Sequence, residues 1–319
     1  MAEVPAATAA QLDPRKFQDP SVTLSGERRA RVALKSLDTL WFNTGTLCNL
    51  TCEHCYIESS PRNDRLVYLS AAEVAGYLDE IDRLGLGTKL TGFTGGEPFM
   101  NPALPAMLEL TLARGFRALV LTNAMKPMHK VKPALLALRE RHGGRLLIRV
   151  SLDHYARGVH ETERGRRSWQ PTIDGLLWLA ANGFAVSVAS RRLSGESEAE
   201  IRRGFAGLFA EFDLDMDAAD PLALTVFPEM DAAADVPEIT EACWGLLGKS
   251  PEDVMCASSR MVVRFKGAAR PSVIACTLLP YDPRFDLGPT LAGALGPVAL
   301  NHPHCAKFCV LGGGACSRG

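Results

Sequence analysis

From residue 37 onward, apolar and polar positions alternate between two periods, and that alternation organises the chain. Short apolar runs rich in β-branched and aromatic residues predict strands at about 38–44, 89–94, 118–122, 146–151, 184–189 and 222–227. The segments between them carry the 3.6-residue period of packed helices. The first puts Val74, Tyr77, Leu78, Ile81 and Leu84 on one face, opens on the capping box Ser70-Ala-Ala-Glu73 and ends at Gly85. Further helices are expected at about 102–114, 131–141, 171–182 and 197–211, the third of these between Pro171 and Gly183. Six βα units in series call for an α/β fold with a parallel sheet and helices outside it. Eight units would close a barrel, and six leave it open on one side.

The flanks break this rhythm. Residues 1–20 are rich in Ala and Pro and read as a loose arm, followed by short strands at Val22–Leu24 and Arg31–Leu34. The stretch after the fourth strand, with Arg164, Arg166 and Arg167, reads as a solvated polar loop. After Pro251, the alternation in Arg260–Phe265 and Ser272–Ala275 predicts a β-hairpin. A Pro-rich stretch at 280–303 then leads to a Gly-rich tail. The expected division is an arm at 1–36, the open barrel at 37–236 and a small Cys-rich annex at 237–319.

Charge and composition narrow the function mainly by exclusion. A net charge of -1 over 319 residues gives no bulk electrostatic reason to bind nucleic acid or a membrane surface. No apolar run approaches the ~20 residues needed to span a bilayer. The start, Met1-Ala-Glu-Val-Pro5, lacks the basic and apolar regions of a secretory signal, which predicts a cytoplasmic protein. In a reducing compartment, clustered cysteines point to metal binding or catalysis. The nine cysteines fall into two groups, three at 48–55 and six from 243 onward, which predicts two separate metal-binding regions.

Cys48, Cys52 and Cys55 follow the first strand with C-x3-C-x2-C spacing. Disulfides this close would be strained, and three thiolates are one short of a closed zinc site. Three buried core thiols are the plain alternative. Three thiolates also suit a [4Fe–4S] cluster with one iron left open to a substrate or cofactor. Gly95-Gly96-Glu97-Pro98 follows the second strand, Asn123 the third, Ser151 and Asp153 the fourth, and Arg191 the fifth. All sit at the C-terminal strand ends, the face where parallel βα sheets gather their chemistry. Ordinary turn chemistry is the plain alternative for Gly-Gly, Asn, Ser and Asp at strand exits, and for Gly95-Gly96 the position one βα unit after the triad favours the functional reading. His129, His142 and His160 have no ligand spacing, and nothing in the sequence decides where His154 points.

The cysteine triad, the ring-bearing His54 before its third member, and Gly95–Pro98 one βα unit later resemble the signature of the radical S-adenosylmethionine (radical SAM) superfamily. The resemblance covers about residues 37–230. It implies a partial (β/α)6 barrel and a [4Fe–4S] cluster held by Cys48, Cys52 and Cys55. It further implies that SAM binds the open iron and is cleaved reductively to a 5′-deoxyadenosyl radical that abstracts hydrogen from a substrate. The SAM-binding residues it implies are His54, Tyr56, Gly95, Gly96, Glu97, Pro98, Asn123, Ser151, Asp153 and Arg191. An electron donor such as flavodoxin or ferredoxin is the expected partner.

The later cysteines more loosely resemble the SPASM/twitch extensions of that superfamily. This implies one auxiliary [4Fe–4S] cluster held by Cys256, Cys276 and two of Cys305, Cys309 and Cys316. A structural zinc site of four thiolates is the alternative. Cys243, on an apolar helical stretch, reads as a core thiol. Val-Ser-Leu-Asp with a twitch-like tail resembles maturases that modify peptide side chains, so a peptide or protein substrate is expected. The other readings are small-molecule or cofactor biosynthesis, and a non-catalytic Fe–S or zinc protein on the same scaffold.

Overall fold

The computed structural model describes residues 11–193, 195–228, 231 and 233–314. A short strand β1 (Arg31–Val32) precedes six parallel strands, β2 (Thr39–Asn43), β3 (Leu90–Thr94), β4 (Arg117–Thr122), β5 (Leu146–Ser151), β6 (Ala185–Arg191) and β7 (Leu224–Phe227). The helices among them are α1 (Ala71–Leu84), α2 (Leu104–Ala113), α3 (Lys126–His129), α4 (Lys132–His142), α5 (Arg157–Arg164), α6 (Trp169–Ala181) and α7 (Glu198–Glu211). Helix α8 (Cys243–Leu247) and strands β8 (Ser259–Val263), β9 (Ser272–Ile274) and β10 (Val298–Ala299) follow.

Local chemistry explains the boundaries. Ser70 caps α1 with its hydroxyl on the Glu73 amide while Glu73 reaches back, and Gly85 ends the helix in the left-handed conformation. Ser197 and Glu200 form the same box at α7. The sequence expectation fails after β5. The supposed polar loop contains α5, and α6 begins at Trp169, ahead of Pro171.

The sheet runs β7-β6-β5-β4-β3-β2-β8-β9 and is not closed. Beyond the six expected strands, β8 joins β2 in parallel, with Thr39 opposite Ser259 and Phe42 opposite Val262, and β9 pairs antiparallel to β8. The predicted hairpin is therefore built into the barrel sheet. Strand alternation divides the core in two. Leu40, Phe42, Phe93 and Val120 pack under the helices, while Trp41, Leu119, Met261 and Val263 face the barrel interior. That inner layer is completed by Leu278, Phe285, Phe308 and Val310 of the annex.

The arm is docked rather than loose over its described part. Glu238 accepts from the Phe17 and Leu24 amides, at 2.6 Å each, and pairs with buried Arg29 at 2.5 Å. β1 pairs with β10, and Val22 forms only an isolated bridge to Arg28. Among the described residues, no helix is long and apolar enough to cross a membrane.

Candidate active site

A cleft of about 1030 Å³, counted out to its mouth, lies at the C-terminal ends of the parallel strands. Cys48, Cys52, His54, Cys55 and Tyr56 line it from the loop after β2. Gly95 and Gly96 line it after β3, Thr122 and Asn123 from the end of β4, Ser151 and Asp153 from the end of β5, and Arg191 from β6. Elements separated by up to 143 residues thus meet on one face, since each follows its own strand to the same edge.

The cysteine loop is welded to the glycine motif. The Gly96 amide donates to the Gly45 carbonyl at 2.8 Å, and the Glu97 amide to the Leu47 carbonyl at 3.1 Å. A Cβ on Gly95 would stand 2.4 Å from the Gly45 oxygen, and one on Gly96 2.3 Å from the Leu47 oxygen. Gly95 also has φ +139°, a region that side chains rarely adopt. The glycines thus let this strand extension close onto the stem of the cysteine loop.

Cys48, Cys52 and Cys55 are unpaired thiols. Backbone amides point at two of them, Leu50 N–H at the Cys48 sulfur (3.4 Å) and Ser59 N–H at the Cys55 sulfur (3.3 Å). Burial pushes the Cys48 thiol up to about 12 and raises Cys52 as well. Such thiols ionise when a metal cation takes the proton's place, which suits iron ligation better than free nucleophilic chemistry. Three soft donors on one cleft, beside a close-packed backbone, fit a [4Fe–4S] cluster with an open iron. Among the described residues, no three His, Cys, Asp or Glu side chains stand at the spacing of a single metal ion.

Glu97 and Pro98 are buried and do not line the cleft. The Glu97 carboxylate accepts from Thr122 Oγ1 at 2.8 Å, the Asn123 amide at 2.8 Å and the Phe99 amide at 3.2 Å. Burial pushes this carboxyl up to about 7, against the pull of those three donors. Its carboxylate therefore braces the end of β3 against the end of β4. Asn123 in turn donates from Nδ2 to Asn49 Oδ1 at 3.0 Å, which reaches back into the cysteine loop.

Asp153 is 2% exposed and is the centre of an ion network. Arg164 of α5 grips it with Nε at 2.7 Å and Nη2 at 3.0 Å. Arg191 grips it from β6 with Nη2 at 2.8 Å and Nε at 3.2 Å. Burial alone would raise the Asp153 carboxyl, but the two guanidinium groups hold it far below the usual carboxylate range. Arg191 also donates to Glu163 Oε1 at 2.9 Å, and Glu163 Oε2 meets His54 Nδ1 at 2.7 Å.

Arg164 corrects the sequence reading: it is a cleft-lining partner of Asp153 on a helix, while Arg166 and Arg167 are exposed. Arg164 and Glu163 belong to this network, and the sequence reading marks neither as a site residue. The available signal was the polar spacing His160, Glu163, Arg164, which places all three on one side of a helix. His154 is settled too, with Nε2 2.7 Å from Glu196 Oε2.

The outer wall of the cleft is apolar. Leu121 of β4, Ala189 of β6 and Phe227 of β7 meet Leu278 and Phe308 of the annex there, and the Phe227 and Phe308 rings lie 5.8 Å apart. Behind this wall stand the later cysteines. Cys256 and Cys305 are buried, and Cys276 and Cys309 are half-buried in the same inner core. Cys305 and Cys309 share a π-helical turn, Cys305–Leu311. Burial pushes Cys256 up to about 11 and raises Cys305 strongly, helped by the nearby Cys276 and Cys256 thiols. Buried Arg260 stands beside Cys256 and donates to its carbonyl at 2.6 Å. Cys243 is half-buried and accepts from the Thr240 amide at 3.3 Å. Cys316 lies outside the described residues.

An open parallel barrel with a thiol triad and a glycine-rich turn at its mouth defines a class of cluster-dependent SAM proteins. The model of the Radical SAM superfamily matches residues 42–203, just over half of the chain, and the protein belongs to that superfamily. Membership implies a [4Fe–4S] cluster and SAM as cofactors. The chain is 29% identical over 171 residues to the antilisterial bacteriocin subtilosin biosynthesis protein AlbA of Bacillus subtilis, covering 53% of this chain and 35% of that one. It is 31% identical over 149 residues to GTP 3′,8-cyclase 1 of Mycobacterium tuberculosis, covering 43% and 38%. The matches thus span little more than a third of these relatives' own lengths. In fold it is similar to Streptococcus suis SuiB bound to the precursor peptide SuiA, with a TM-score of 0.58 at 12% identity over 80% of this chain and 63% of that one.

Proposed function

We propose that this protein is a radical SAM enzyme that acts on a peptide or protein side chain. The observation that carries the reading is the meeting of Cys48, Cys52 and Cys55 with Gly95, Gly96 and Ser151 on one cleft. Cys48, Cys52 and Cys55 would hold the cluster. The cluster and SAM, when bound, supply reductive cleavage of the sulfonium and hydrogen-atom abstraction. The half-buried backbone of Gly95 and Gly96 where it lines the cleft, with Ser151 and Asn123, would offer hydrogen bonds to SAM. Arg164 and Arg191 supply the positive charge beside it, and Asp153 sets their orientation. Phe227, Leu278 and Phe308 exclude water from the outer wall, where the substrate would meet the cleft.

Two similarities support a peptide substrate: the relative named for bacteriocin biosynthesis and the fold shared with a protein bound to its precursor peptide. The cyclase relative supports a small-molecule substrate as the second reading. We assign the annex one auxiliary [4Fe–4S] cluster, held by Cys256, Cys276 and two of Cys305, Cys309 and Cys316. A flavodoxin or ferredoxin of the reducing cytoplasm would supply the electron.

Anaerobic reconstitution with iron and sulfide, followed by dithionite and SAM, tests the activity. The expected product is 5′-deoxyadenosine, and a fully iron-loaded protein that forms none would sink the enzyme assignment. The Cys48/Cys52/Cys55→Ala triple variant tests the annex. It is expected to retain about four iron atoms per chain, the content of one [4Fe–4S] cluster; loss of all Fe–S absorption would remove the auxiliary cluster.

A further inference from the structure

We propose that Glu163 is a positioning residue which, together with Arg191, sets the conformation of the Glu53-His54 span between Cys52 and Cys55. Four groups of that span are tied from outside the loop. The Glu53 amide donates to the Glu163 carbonyl at 2.9 Å. The His54 amide donates to Glu163 Oε1 at 3.0 Å, and His54 Nδ1 lies 2.7 Å from Glu163 Oε2. The His54 carbonyl accepts from Arg191 Nη1 at 3.0 Å. The two restraining groups are themselves joined, since Arg191 Nη2 donates to Glu163 Oε1 at 2.9 Å. Both are held in place. Glu163 is 4% exposed on α5, and Arg191 is anchored on Asp153.

The loop's own bonding there is weak by comparison. Between Cys52 and Cys55 it consists of one long contact, Cys55 N–H to the Cys52 carbonyl at 3.4 Å. Charge-assisted hydrogen bonds, here to a buried carboxylate and from a guanidinium, are about twice as strong as neutral ones. The relative placement of Cys52 and Cys55 is therefore decided by α5 and β6. Ordering the span during folding removes a cost that iron binding would otherwise have to meet. Residues in this position, behind metal ligands, typically change metal affinity by about 10- to 100-fold when removed.

The inference rests on the reading of Cys48, Cys52 and Cys55 as cluster ligands. The test compares full-length, reconstituted wild type with Glu163→Ala, Glu163→Gln and His54→Phe. One readout is the rate of cluster loss to a ferrous chelator. The other is the EPR spectrum of the dithionite-reduced protein with and without SAM, because only a cluster with an open iron responds to SAM. Glu163→Ala is expected to lose the SAM-responsive cluster about 10-fold faster or more, with a broadened SAM-bound signal. Glu163→Gln falls between, because its amide oxygen can keep the Oε1 contacts with the His54 N–H and Arg191 while its neutral NH2 replaces the oxygen that meets His54 Nδ1. His54→Phe removes only the ring contact and gives the smallest change. Glu161→Gln, on the same helix and bonded to Arg157, leaves both readouts at wild-type values. Should Glu163→Ala not fold, Glu163→Gln decides the matter. Wild-type kinetics and an unchanged SAM-bound spectrum in the foldable Glu163 variants would overturn the proposal. A wild type whose reduced cluster ignores SAM would instead overturn the ligand reading, and the proposal with it.

Discussion

Glu97 and Asn123 are joined across two strand ends, with the Asn123 amide donating to Glu97 Oε2 at 2.8 Å. The carboxylate that closes the glycine motif therefore positions the neighbouring cleft wall. Glu97→Ala would leave the Thr122 hydroxyl and the Asn123 and Phe99 amides buried without their acceptor. Each such group costs about 1–3 kcal/mol, so a loss of at least about 3 kcal/mol is expected in urea denaturation. SAM binding, followed by anaerobic titration, should weaken too, because Thr122 and Asn123 line the cleft. Glu97→Gln keeps one acceptor and should lie between the two.

The Asp153 network sets a sharper contrast. Asp153→Ala strips the shared carboxylate from Arg164 and Arg191, whose side chains are 12% and 17% exposed. Removing one partner of a buried ion pair costs about 3–5 kcal/mol, and that loss is expected in the denaturation midpoint. Arg166→Ala and Arg192→Ala, at exposed positions, should stay within about 0.5 kcal/mol of wild type. Equal effects from all three substitutions would contradict the network.

His160 supplies a pH dependence. It is fully buried against Trp169, with ring centroids 5.5 Å apart, and neither ring nitrogen has a hydrogen-bond partner among the described residues. Burial, with the nearby Arg164 cation, lowers its pKa from 6.5 to about 4. Between those values the unfolded chain holds a proton that the folded one refuses. The contribution is complete above pH 6.5 and is lost as pH falls toward 4, by about 3 kcal/mol in all. His160→Phe should remove that slope from stability measured between pH 7 and pH 4. An unchanged slope would place the acid sensitivity elsewhere.

The elements nearest their sequence expectation are those set by local signals. The capping boxes at Ser70 and Ser197 and the period of α1 bound their helices within a residue or two. The six strands of the open barrel follow the predicted runs in order. The cysteine triad and Gly95–Gly96 were legible because their spacing is short, and a parallel sheet brings strand ends to one edge. Arg164 read as solvated because its partner Asp153 lies 11 residues away, and Arg191, the other cation on that carboxylate, comes from a different strand. Glu163 is not legible in the sequence because its partner His54 is 109 residues distant.

The sequence by itself determined the parallel βα order and the family's thiol and glycine motifs, because these follow from periodicity and from residues close together in the chain. Tertiary structure alone decided that β8 extends the barrel from β2 and that annex residues Leu278 and Phe308 wall the cleft. It alone also decided that Glu163 and Arg191 hold the span between Cys52 and Cys55. Those outcomes depend on which buried surfaces and charges meet across long sequence separations, where desolvation requires every polar group to find a partner that no local pattern names.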